Sequence, residues 1–230
     1  EDGVLTGTIF TDGSGIHNDL KPASRAGWGI AMMSGTRVQG AAYGPVPLYT
    51  QNSGSAEIYA ATMALRLASP PVTIVTDYEQ LYNGWQMGMN TYTGPQAKCG
   101  EAWRGFWEVA QDFGVEHITI RQVPAHRPFA AVGRGEITFG DWTGNQKADA
   151  LAREGAKCHP DNSALVAKER ANIALQQELL SYASWLNCNL QHSGASRIWE
   201  EVTETSIVPQ QRALTSASRE AEVGNPSQHN

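Results

Sequence analysis

Residues 8–15 read TIFTDGSG: two large apolar side chains between threonines, then Asp12 and a run of small turn formers. This pattern predicts a buried strand ending in a loop, with Asp12 at the strand's end. The arrangement recurs at Val72–Asp77, VTIVTD, a β-branched strand that again delivers an aspartate at its end. Between them, RAGWGIAMM (Arg25–Met33) and TRVQGAAYG (Thr36–Gly44) read as strands joined by Ser34-Gly35 as in a hairpin. Ser53–Ala68, SGSAEIYAATMALRLA, is rich in Ala and Leu, opens with serines able to cap, and meets Pro70-Pro71 as its stop, so it reads as a helix.

Downstream, Tyr78–Met87 and Glu101–Phe113 read as helices. The second carries Trp103, Phe106, Trp107 and Val109 at helical spacing, a core stripe. HITIRQVPA (His117–Ala125) is a fifth strand, and after a long glycine-containing loop Gly144–Lys157 is a further helix. The order β-β-β-α-β-α-α-β-α predicts an α/β fold, a mixed five-stranded sheet flanked by helices. Residues 1–160 hold this pattern. Residues 161–205 read as a helical extension, interrupted near Ser193-Gly194, and 206–230, with few large apolar groups, as a disordered tail.

With 41% hydrophobic and 17% charged residues, the 230-residue chain can build a packed core, which excludes disorder along its whole length. No apolar run is long enough to span a membrane, and no secretory signal opens the chain. The three cysteines, Cys99, Cys158 and Cys188, are too scattered for a disulfide framework or a zinc site, so a reducing intracellular compartment, cytoplasm or nucleus, is expected. Because the chain begins at Glu1 rather than Met, a longer parent polypeptide is expected. The formal net charge of -6 argues against a self-sufficient nucleic-acid binder.

Neighbouring placement of the two aspartate-ending strands would bring Asp12 and Asp77 to one sheet edge. Glu57 lies on the apolar stripe of its helix with Ala60, Ala61 and Ala64, and Asp149 lies among Ala148, Ala150 and Leu151. Carboxylates on buried stripes are costly unless paired or bound to cations, and an oxygen-only set favours Mg²⁺ or Mn²⁺. Each residue also has a plainer reading: Asp12 as a turn former, Asp77 as an N-cap, Glu57 as a capping-box or surface residue, Asp149 as a solvated helix position, His126 as a loop histidine. Asp141 competes with Asp149 for the fourth place.

TDGSG, SAEIYAATMAL, IVTDYEQL, VPAH and GNQKADALARE, in this order over roughly Thr6–Lys157, closely resemble the type 1 ribonuclease H domain, versions of which are fused to reverse transcriptases in retroelements. The resemblance implies a ribonuclease H-like fold and metal-dependent endonucleolytic hydrolysis of the RNA strand of RNA/DNA hybrids. It implies two Mg²⁺ ions, with Mn²⁺ as a substitute, on Asp12, Glu57, Asp77 and Asp149, and a mobile catalytic histidine at His126. Substrate contacts carry over more loosely, to Gly13, Ser14, Asn52 and Asn145. The partners implied are the hybrid itself and a reverse transcriptase or other domain of the same polypeptide. Many cellular members carry a basic protrusion between the second and third helices; here that stretch holds only Lys98 and Arg104. Arg127 and Arg134, in a loop longer than that of bacterial members, are candidates for phosphate contact or plain surface charge. The alternative is a catalytically silent ribonuclease H-like module used for structure or hybrid binding.

Overall fold

The computed structural model describes residues 5–192. Five strands, β1 (Leu5–Ile16), β2 (Arg25–Ser34), β3 (Arg37–Pro45), β4 (Ala68–Thr76) and β5 (Ile118–Gln122), form one sheet in the order β3-β2-β1-β4-β5. The meander β1-β2-β3 is antiparallel, whereas β4 and β5 run parallel to β1. The helices are α1 (Ser53–Leu67), α2 (Glu79–Met87), α3 (Gly100–Phe113), the short α4 (Ala130–Gly133), α5 (Phe139–Lys157) and α6 (Ser163–His192). The expected sheet and its flanking helices are therefore present.

Alternation along the strands builds two apolar layers. Ile9, Ile30 and Ile74 pack with Ile58, Ala61 and Leu65 of α1 and with Trp103 and Phe106 of α3, so the tryptophans of α3 are core as read. On the opposite face Phe10, Val75 and Val123 pack with Ala148 of α5. Helix α5 lies unusually close to the sheet: a Cβ on Gly29 would sit 2.5 Å from the Ala148 carbonyl oxygen. The stripe Ala148, Ala152 and Ala156, one residue every four, meets the side-chain-free backbone of Gly27 and Gly29.

Three local readings need correction. The DGSG segment is not a loop: β1 continues through it to Ile16, pairing Asp12 with Gly29 and Ile16 with Arg25. The prolines do not stop α1, because the helix ends at Leu67 and β4 begins at Ala68, ahead of them. Pro70 and Pro71, which cannot donate to a ladder, fall where the β1–β4 register shifts. Finally, the stretch after Arg127 holds α4 and the first turn of α5, which Thr138 caps by accepting from the Asp141 amide at 3.0 Å.

The chain divides into two units at Arg170. In the first, Leu20, Ala23 and Val166 form a small cluster, and the Asn162 side chain donates to the Ala23 carbonyl at 2.7 Å, tying down the start of α6. In the second, α6 carries exposed Leu175, Leu179, Leu180 and Leu186, and Tyr182 stacks on Trp185 at 5.9 Å. The interruption expected near Ser193-Gly194 and the tail 206–230 lie outside the described residues.

Substituting Gly29→Val should push α5 off β2 at a cost of roughly 1–3 kcal/mol or more, lowering Tm by roughly 2–4 °C per kcal/mol. An unchanged melting curve would contradict the contact.

Candidate active site

The pairing of β1 with β4 ends at Phe10 and Val75, and Asp12 and Asp77 each stand two residues beyond that last pair. In a strand, residues two apart share a face, so Asp12 leaves the sheet on the Phe10 side, which α5 covers, and Asp77, just past the end of β4, is met there by Asn145 of α5. Glu57 arrives from the other side. Its delivery depends on Gly13, because any Cβ there would overlap the backbone amide of Glu57; only glycine lets β1 and the first turn of α1 come this close. Asn52 sets that turn, its side chain accepting from the Ser55 amide at 2.8 Å. The capping function expected of the serines therefore belongs to Asn52.

Together Asp12, Glu57 and Asp77 place one carboxylate oxygen each within 4.8 Å of one another. Asp12 and Glu57 are buried, at 4% and 7% exposure, and Glu57 Oε2 has no hydrogen-bond partner. Burial, followed by the charges of Asp77 and Asp149, pushes the Asp12 carboxyl up to about 8; Arg153 opposes this. Burial, then Asp12 and Asp77, drives Glu57 up as well, against a hydrogen bond from the Gly13 backbone. Burial makes the charges of Asp12 and Glu57 costly where no cation offsets them, and an oxygen donor set with an unpartnered buried oxygen fits a hard divalent ion.

Asp149 lines the same cleft of about 410 Å³ but stands outside the three-carboxylate group, paired with Arg153 at 2.8 Å one helical turn on. Sequence reading passes over Arg153, although an acid–base pair at i,i+4 is its signal. Asp141 is elsewhere engaged, in a two-point pair with Arg121. Asp77 is not a helix cap; Tyr78 occupies the cap position, and Asp77 Oδ2 accepts from Asn145 Nδ2 at 2.9 Å. Asn145 is buried at 4% exposure on the α5 stripe, its Oδ1 unpartnered.

His126 lines the cleft with Ser14, Gly13 and Tyr78, its backbone in the left-handed region at φ 48°. Asn52, read as a substrate contact, instead lines an adjoining hollow of about 740 Å³ with Lys21, Arg25 and Gln51. Asn18 lines both spaces, but the larger holds no carboxylate, so the acid chemistry resides in the smaller one.

The RNase H family model matches residues 6–157. This chain belongs to the RNase H family. Among solved structures, this RNase H domain is similar to a foamy viral protease-reverse transcriptase in complex with dsDNA, at 22% identity and TM-score 0.45, over 65% of this chain and 92% of that one. It is similar to the foamy viral protease-reverse transcriptase in complex with an RNA/DNA hybrid, at 20% and 0.46, over 65% of this chain and 20% of that one. It is also similar to LC11-RNase H1 in complex with an RNA/DNA hybrid, at 16% and 0.46, over 65% of this chain and 96% of that one. No curated protein matches the sequence.

With Asp12 and Glu57 raised, the folded chain holds protons that the unfolded chain releases. Stability without metal should therefore fall as pH rises through the window from about 4 to about 8. In EDTA, Asp12→Asn should melt at or above the parental temperature at pH 8, the difference shrinking toward pH 4. Parallel melting profiles for the two proteins across that window would contradict the assigned coupling.

Proposed function

We propose that this RNase H domain is a divalent-metal-dependent endoribonuclease acting on the RNA strand of RNA/DNA hybrids, and that it works as a module of a retroelement polyprotein beside a polymerase domain. One observation carries the activity: inside an RNase H domain, three carboxylates from β1, α1 and the end of β4 converge with a buried, unpartnered oxygen. A silent relative would have no physical reason to bear the cost of that cluster. The acidic balance and the absence of a basic protrusion support dependence on a tethered partner for affinity. Among the described residues, no helix is long and apolar enough to cross a membrane.

Asp12, Glu57 and Asp77 would hold the metal, with Asp149 completing the set once it exchanges its Arg153 contact. When bound, two Mg²⁺ ions supply an activated water and stabilisation of the leaving 3′-oxygen, so the products carry 5′-phosphate and 3′-hydroxyl ends. The chain's own groups do the positioning. Asn145 orients Asp77 through its amide, and the Gly13 amide orients Glu57. His126, at the open edge of the cleft, can take up or return a proton at its imidazole during product release. Tyr78, whose hydroxyl burial pushes upward, stays a neutral wall and donates to Gln80 at 2.6 Å. Gly13 and Ser14 line the floor where a backbone can approach, matching recognition by 2′-hydroxyls and shape rather than by sequence.

Asp12→Asn and Asp77→Asn should each abolish Mg²⁺-dependent cleavage of an end-labelled hybrid while the circular dichroism spectrum is retained. Cleavage by either at near-parental rate would overturn the ligand assignment. His126→Ala should lower turnover roughly 10- to 1000-fold, as for one proton-transfer or release group beside an intact site, with Mg²⁺ affinity by calorimetry unchanged. A collapse of that affinity would make His126 a ligand.

A further inference from the structure

One residue beyond the cleft, the chain builds a feature the hydrolytic site does not use. Phe129, Phe139 and Trp142 pack on one another outside the core, with ring centroids 5.2 to 6.4 Å apart. Trp142 roots the group, its ring against the Phe10 and Val75 layer and its indole N–H donating to the Arg127 carbonyl at 2.9 Å. The two phenylalanines remain 60% and 48% exposed. A ring set that is rigid beneath and open above is a preorganised platform.

Its charge is positive. Arg134 and Arg127 flank a single carboxylate, Glu136, the second at 4.0 Å, so one cationic charge is left over. The surrounding stretch agrees: residues 121–157 hold six basic and four acidic side chains, whereas residues 1–120 hold six and eleven. An anionic ligand is thus drawn to this side of an acidic chain. The platform lies next to the cleft along the chain: His126 lines the cleft, and the carbonyl of the following Arg127 accepts from the Trp142 indole at 2.9 Å.

We propose that Phe129 and Phe139, with Arg127 and Arg134, form a docking face for an unpaired stretch of nucleic acid that leaves the duplex beside the cleft; this rests on reading the chain as a hybrid nuclease. The occupant is single-stranded because a ring can stack only on a base whose face is uncovered, and within a duplex both faces are taken. The guanidinium groups then serve the phosphates on either side of the stacked base. A protein partner fits less well. Two half-exposed phenylalanines offer a few hundred Å² at most, against about 800 Å² per side in a stable interface.

The test uses the full chain in EDTA, where binding is read without hydrolysis, by fluorescence anisotropy on a short blunt RNA/DNA hybrid and on versions carrying an unpaired extension at each end in turn. At least one extension should tighten binding roughly 5- to 100-fold per stacked base. Phe129→Ala/Phe139→Ala should erase that gain and leave the blunt Kd unchanged. Arg127→Gln/Arg134→Gln, which keeps the rings, should reduce the gain and flatten its salt slope by about 0.7 for each phosphate no longer neutralised. Should the phenylalanine variant fail to fold, the arginine variant decides alone. The proposal is overturned if no extension tightens binding, if the gain survives in the folded variants, or if blunt and extended hybrids weaken alike. A shift in oligomeric state by light scattering on removing the rings would overturn it too, assigning the face to a protein contact. Mg²⁺-dependent cleavage of the blunt hybrid is scored in parallel: cleavage without an extension effect sinks this inference alone, and an extension effect without cleavage sinks the proposed activity alone.

Discussion

Gly13 is where β1 and the first turn of α1 touch backbone to backbone, and the active cleft depends on that contact. Without it Glu57 would stand off the sheet and its carboxylate would be solvated and ordinary. With it, Glu57 is buried against Asp12 and Asp77, and the chain carries like charges where water cannot relieve them. The fold meets that penalty by local means: a proton retained on Asp12, the Gly13 amide on Glu57 and the Asn145 amide on Asp77. On the proposed function, a bound divalent ion would offset the same charges directly.

The rest of the molecule explains why the cluster does not spring apart. Asp12 sits on β1, held by its pairing with β2, and Asp77 directly follows β4, while Glu57 comes from a helix whose inner face is packed on Trp103 and Phe106 of α3. Moving Asp12 would unpair β1 from β2, and moving Glu57 would open the apolar layer under α1. Helix α5, pressed on Gly27 and Gly29, fixes Asn145 and Asp149 over the same spot. Asp12, Glu57 and Asp149 sit on strands or helices, while Asp77 directly follows β4 and His126 sits on a longer connecting segment.

Much of this is legible in the sequence because apolar periodicity and chemistry coincide there. Asp12 and Asp77 close similar β-branched runs, and Glu57 stands on an alanine stripe where a solvated glutamate has no place. The failures share a physical cause. In DGSG the small residues read as turn formers, but they are needed for close approach: Gly13 admits α1 while the backbone stays extended and paired. In FGDWTG the glycines hide a helical turn that Thr138 caps. The serines of SGS read as caps for α1, and the Asn52 side chain takes the orphan Ser55 amide instead. Such competition depends on distances that no single sequence displays.

The net charge of -6 carries the same lesson at longer range. Summed over the chain it speaks against a nucleic-acid partner, yet exposed charges are screened beyond about 10 Å at moderate salt, so a phosphate responds to what lies near the cleft. Arg121, Arg127, Arg134, Lys147, Arg153 and Lys157 all fall within residues 121–157, on β5, α5 and the segment between them. The excess of acidic groups lies earlier in the chain, where α3 and its flanks alone hold Glu101, Glu108, Asp112 and Glu116. On the proposed function, a nucleic-acid backbone near α5 would meet the more basic stretch of the chain, with Arg153 lining the cleft beside the carboxylates. On the same reading, a divalent ion at the carboxylates would turn the approach of phosphate from repulsive to attractive, which would couple metal binding favourably to substrate approach through charge alone.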